Sequence, residues 1–255
     1  MPAAKSLFPS ASNLIIIGSP LLPATFPGML RAAGASQNDR STLKAVVSGH
    51  IQGSVVSLRF TEPVTPLKAV LKWAQTNNGD MTSIEMLRNE ASIYKQELLP
   101  LQGTIVPRCY GYYEGTTNDS RVRFAGLLLE ELPCKPKENC TRSAEYHRRL
   151  MIAFCKIHEA GIQHHGVMDS RHFITDGGSA PKIVSFSLAT RHNCAGCPPA
   201  DSAGNIPQGT AVCLELQLLE VHYGSKTIER EELDGRTSRL AKWERLGYRL
   251  IPDAF

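Results

Sequence analysis

Val56, Leu58 and Phe60 alternate with Ser57 and Arg59, the period of two that marks a half-buried strand. "PLKAVLKWA" (66–74), entered from the turn-forming "EPVTP", predicts a second strand. The period then changes. Ile84, Leu87, Ala91, Tyr94 and Leu98 recur at three and four residues behind a Thr82–Glu85 capping box, and predict a helix that stops at Pro100. "TIVPRCYGYYEG" and "RVRFAGLLLEEL" read as a strand pair around a loop at 115–120. A polar connector at 133–142 precedes a second helix, expected from about Ser143 to Ala160. Tyr146, Leu150, Phe154 and Ile157 form its apolar face and Gly161 its stop. "HFIT" and "PKIVSFS" are short strands flanking the turn "DGGSA". Leu214, Leu218 and Val221 mark a late helix, followed by a charged segment at 226–246. Strands, one helix, more strands and then mostly helix predict an α+β chain.

Composition narrows the class. With 255 residues, 42% hydrophobic and 20% charged, the chain is long enough for one large domain or two coupled units and has the balance of a soluble globular protein. A net charge of +4 without a basic, aromatic-interleaved stripe excludes a nucleic-acid-binding surface from the expectations. Seven cysteines, an odd number, fit reduced thiols and an intracellular, cytoplasmic setting. Residues 1–38 carry five prolines and no acid, and read as a disordered or loosely docked tail. Their "LIIIGSPLLP" is too short and proline-broken to cross a membrane.

Several segments, in this order, resemble the protein kinase-like family. "AVLK" is similar to the family's V-A-I-K strand, which implies that Lys72 grips nucleotide phosphates. Eighteen residues on, "LRNEASIY" resembles the regulatory helix, and Glu90 is the implied partner carboxylate. "GLLLEELP" resembles the hinge, with Glu130 and Leu132 offering backbone groups to an adenine edge. "IHEAGIQHHG" resembles the approach to the catalytic loop, where His165 takes a structural role. "KIVSFSLATRH" resembles the segment around D-F-G, with Phe186 retained. The resemblance extends over about 44 to 192 and is nearest to the small divergent kinase-like proteins of fungi. It implies a two-lobed fold, with a small β-rich N-lobe at 39–132 and a shortened, mainly helical C-lobe at 133–255.

The chemistry departs from that pattern. Val167 stands at the place of the catalytic aspartate, His172 at the metal-binding asparagine and Ser185 at the aspartate of D-F-G. A valine cannot accept a proton, and serine and neutral histidine are poor ligands for Mg²⁺, which prefers anionic oxygen. "SGHIQGSVV" lacks a full glycine-rich phosphate loop, and no A-P-E follows. The expectation is a pseudokinase that acts by binding or scaffolding, through a protein partner. ATP is the one nucleotide cofactor to consider, and Mg²⁺ is not expected. The alternative is a divergent ATP-dependent phosphotransferase with non-standard metal and base residues. Sequence leaves the oligomeric state open.

"HNCAGC" supplies His192, Cys194 and Cys197, with Cys213 and His222 downstream as further zinc donors. A C-x-x-C knuckle provides two of the four donors that tetrahedral zinc needs, but the remaining spacing fits no common finger. Reduced loop thiols are the default reading. His164 and His165 have no nucleophile motif to serve as base.

Overall fold

The computed structural model describes residues 12–17, 22, 26–27, 29–36, 38–61, 68–76, 79–117, 121–133, 144–169, 172–174, 181–197 and 212–223. The chain divides into two compact units. One comprises Met1–Lys95 with Pro107–Glu131, the other Gln96–Val106 with Leu132–Phe255.

The first unit is built on seven strands: β1 (Asn13–Ile17), β2 (Met29–Ala32), β3 (Thr42–Gln52), β4 (Val55–Phe60), β5 (Lys68–Gln75), β6 (Cys109–Thr116) and β7 (Arg123–Glu130). They close into a barrel in the order β1-β2-β6-β7-β5-β4-β3. Neighbours run antiparallel except at the seam, where β1 pairs parallel with β3, Asn13 opposite Thr42 and Ile17 opposite Val46. Alternation explains which side chains fill it. Leu14 and Ile16 of β1, Leu58 of β4, Leu71 of β5, and Phe124 and Leu128 of β7 share one buried cluster. On the other face of β7, Ala125, Leu127 and Leu129 are buried too, the first two completely. Helix α1 (Thr82–Lys95) packs on β5, β6 and β7, so β7 is covered on both faces and reads as the unbroken apolar run "GLLL". Ile84, Leu87, Ala91 and Tyr94 of α1 are buried, as the three–four spacing predicts.

The start of α1 differs in detail from the expected capping box. Asp80 is the acceptor there, taking the Thr82 backbone N–H at 2.9 Å and the Thr82 hydroxyl at 2.6 Å.

The second unit holds α2 (Ala144–Glu159), the short antiparallel pairs β8 (Ile162–Gln163) with β11 (Thr190–Arg191) and β9 (Phe173–Ile174) with β10 (Lys182–Ile183), and α3 (Leu214–His222). Leu150, Phe154 and Ile157 are fully buried, the face that the α2 periodicity predicts. Phe154 meets Phe173 edge-on at 5.5 Å, and Phe186 meets the His164 ring at 4.8 Å.

This architecture corrects the expected fold class. The protein is not a two-lobed kinase-like fold with a helical C-lobe: its β-structure is a closed seven-stranded barrel, and the described residues contain only three short α-helices. The kinase-like description of the chain falls with it. The reason is closure. A strand order of β3-β4-β5-β7-β6 agrees with an open sheet, but β1 and β2 join its two edges and leave none free. Both come from 1–38, the stretch that composition reads as a tail. Leu14, Ile16 and Leu30, buried against the barrel core, outweigh its prolines. The connector expected at 133–142 lies beyond the described residues apart from Pro133, as do the "DGGSA" turn and the charged segment at 226–246. Among the described residues, no helix is long and apolar enough to cross a membrane.

Candidate functional site

On β5 the side chains alternate. Ala69 and Leu71 point into the barrel, which leaves Lys72 on the outer face beneath α1. Glu90 lies on the buried face of α1, and the Lys72 ammonium meets its carboxylate at 2.6 Å. The pair expected from sequence therefore forms. A strand and a helix packed face to face suffice to make it, whatever the topology of the sheet. The Glu90 side chain is fully buried, whereas Lys72 retains 23% exposure. Burial, reinforced by the Glu90 charge, pushes the Tyr94 phenol well above its ordinary value. The Cys109 thiol is pushed up to about 11 mainly by burial, with Glu90 adding to it.

The other candidates for nucleotide contact have separate surroundings. The Glu130 carboxylate accepts the Arg108 backbone N–H at 3.0 Å and lies 3.5 Å from the Arg108 guanidinium, closing the end of the barrel hairpin. Leu132 belongs to the second unit and is half-buried. A cavity beside α1 is lined by Met81, Ile84, Arg88, Glu114, Arg123 and Phe124, and Lys72 is not part of its wall.

In the second unit, "IQHHGVMD" folds around buried histidine. His164 is fully buried, and its Nδ1 accepts the Gly166 N–H at 3.0 Å. Its Nε2 must then carry the proton, which it donates to the Val184 carbonyl at 2.9 Å. Burial holds this ring down at about 4, so it is neutral. The structural role that the sequence assigns to His165 belongs to its neighbour. His165 is exposed, adopts φ 63°, and contacts the Thr190 hydroxyl at 2.8 Å. His172 donates from Nδ1 to the Gly166 carbonyl at 2.9 Å. Val167 is 4% exposed, Ser185 is left-handed at φ 70°, and Phe186 is fully buried. These positions are occupied by groups that hold the loop together.

Gly166 sits between the two rings. A Cβ there would lie 2.5 Å from His172 Nδ1 and 2.9 Å from His164 Cε1. Neither ring can swing away without breaking its bond to Gly166 or Val184. Gly166→Ala is expected to destabilise the protein by about 1–3 kcal/mol. Urea denaturation measures this, and an unchanged midpoint would mean that the rings yield freely.

The third locus assembles from four places in the second unit. His158 is on the last turn of α2, His192 follows β11, Cys194 comes two residues later, and Cys213 immediately precedes α3. His158 Nδ1 lies 3.0 Å from His192 Nε2, 3.4 Å from Cys194 Sγ and 3.6 Å from Cys213 Sγ. All four donor atoms fall within 4.8 Å of one another. His158, Cys194 and Cys213 are buried and His192 is half-buried. Gly196, at φ 75°, turns the chain so that its N–H points back at Cys194 Sγ, 3.4 Å away. As bare protein groups, the Cys213 thiol is drawn below its ordinary value by the Cys194 hydrogen bond and then by His158, against the effect of burial. Cys194 is pushed up correspondingly. Burial opposes charge on His158, but Cys213 and Glu215 outweigh it and raise its pKa.

Glu215, on the first turn of α3, is 3% exposed and lies 3.8 Å from His158 Nε2. Its carboxylate also takes the backbone N–H groups of His164 and His165 at 3.0–3.1 Å. Sequence named His192, Cys194 and Cys213 but chose Cys197 as their companion. The structure replaces Cys197 with His158 and leaves His222 outside the set. His158 stands 34 residues before His192 in the chain, a separation that suggests no shared site. Glu215, an acid within "CLEL", carries no signal of its own. None of the five cysteines among the described residues is in a disulfide.

No protein-family model matches this chain, and no curated protein matches it.

Proposed function

We propose that the chain acts by binding, as an interaction or scaffolding protein, and makes at most a weak, Mg²⁺-indifferent contact with nucleotide through Lys72. The observation that carries this reading is the ion pair at 2.6 Å between Lys72 and the buried Glu90. Its ammonium is already neutralised by a partner that has no solvent to return to, so a phosphate would have to share it. A transfer reaction would need a carboxylate to orient its acceptor and anionic oxygens for the metal. Val167, His172 and Ser185 offer neither, and their surroundings commit them to packing and loop geometry.

Thermal-shift titration with ATP, with and without Mg²⁺, tests the reading. Stabilisation of no more than about 0.4 kcal/mol is expected when ATP merely equals its dissociation constant, and millimolar ATP should be needed to reach that point. Adding Mg²⁺ should change nothing. ATP-dependent labelling of protein or small-molecule acceptors that disappears in Lys72→Ala would overturn it.

A further inference from the structure

We propose that His158, His192, Cys194 and Cys213 bind one zinc ion in a closed structural site, with Glu215 orienting His158 from behind. Zinc takes imidazole nitrogen at about 2.0–2.1 Å and thiolate sulfur at about 2.3 Å. With tetrahedral angles those lengths put two nitrogens about 3.3 Å apart, and a nitrogen about 3.6 Å from a sulfur. His158 Nδ1 stands at 3.0, 3.4 and 3.6 Å from the other three donors. The widest separation in the set is no more than 4.8 Å, so closing on one ion takes side-chain movement of about 1 Å. Two thiolates and two imidazoles in tetrahedral array select zinc over the hard cations, which prefer oxygen.

The site is structural because protein supplies all four donors and leaves no coordination position for water or substrate. The outer support is partly built. Zinc-bound histidine usually directs its other ring nitrogen at a carboxylate. Glu215 lies 3.8 Å from His158 Nε2, just beyond hydrogen-bond length, and among the described residues that buried nitrogen has no hydrogen-bond partner, so a small shift on metal binding would close the contact. The Gly196 N–H already donates to the Cys194 sulfur at 3.4 Å. The ion would join the end of α2, the segment after β11 and the start of α3. Through Glu215 it would also brace the backbone of His164 and His165.

The test is metal analysis of the full chain, expressed in zinc-supplied medium and freed of any affinity tag. About one zinc per chain is expected, falling below about a tenth in the Cys194→Ser/Cys213→Ser double variant and staying at one in Cys197→Ser. The double variant can fail to fold, so cobalt exchange into the unmodified chain provides a second reading. Intense visible bands with thiolate-to-cobalt charge transfer support the site. A weak octahedral spectrum without charge transfer overturns it. A folded chain free of zinc, or loss of zinc from Cys197→Ser, overturns it equally.

Discussion

Lys72→Ala is expected to cost the first unit about 3 kcal/mol, and the Lys72→Met/Glu90→Leu double variant to recover most of that loss. Removing one member of a buried pair typically costs about 3–5 kcal/mol, whereas replacing both with apolar groups is often close to neutral. Glu90 is completely buried while Lys72 is 23% exposed, which places the loss at the lower end of that range. Glu90 is also flanked by the apolar face of α1, where Leu87 and Ala91 leave little access for water. Urea denaturation followed through Trp73, with Trp243 replaced by Phe, reads the unit that contains the pair. A Lys72→Ala variant within 1 kcal/mol of the parent would show that the interaction is screened like an exposed one. A coupled cycle adds a sharper check: the two single losses should sum to far more than the double loss.

Acidification should remove stability between pH 6.5 and 4, by roughly 3 kcal/mol from His164 alone. Burial lowers its folded-state pKa from 6.5 to about 4, and Phe154 and Phe186 supply much of the apolar surroundings. The Glu215 charge favours protonation and neighbouring His172 and His158 oppose it. The sign follows from proton counting. Below pH 6.5 the unfolded chain takes up a proton that the native ring refuses, so stability present at neutral pH is lost as pH falls through the window. Geometry gives the same answer, because Nδ1 accepts the Gly166 N–H and a proton there would set two donors face to face. Glu215, whose pKa is lowered by His158 and by the His164 and His165 amides against the effect of burial, adds a loss in the same direction at lower pH.

Urea midpoints at pH 7, 6, 5 and 4 measure the slope. In His164→Gln the slope over this window should flatten even though the variant is weaker throughout. Acid release of a metal ion would lower both proteins alike, so the difference between them isolates His164. Equal slopes would refute its role.

Local pattern was enough wherever neighbouring residues decide the outcome. The alternation in "VVSLRF" made β4, and the three–four spacing from Ile84 to Tyr94 chose the buried face of α1. Leu150, Phe154 and Ile157 did the same for α2. The Lys72–Glu90 pair was named through the resemblance of "AVLK" and "LRNEASIY" to a kinase-like strand and helix, while periodicity by itself marked only the elements that carry the two charges. Tertiary structure alone decided the rest. Closure of the barrel depends on β1 pairing with β3 and β2 with β6, and the hydrogen bonds of those ladders join strands whose local patterns do not name their partners. Loop-closure entropy grows only slowly with separation, so distance along the chain did not argue against such pairings. The exchange of His165 for His164 turned on which ring the loop buries, and adjacent residues give periodicity nothing to separate. The quartet of two histidines and two cysteines is the clearest case. His158, His192, Cys194 and Cys213 converge because α2, β8–β11 and α3 pack around a common core, and spacing in sequence cannot encode a meeting point made by packing.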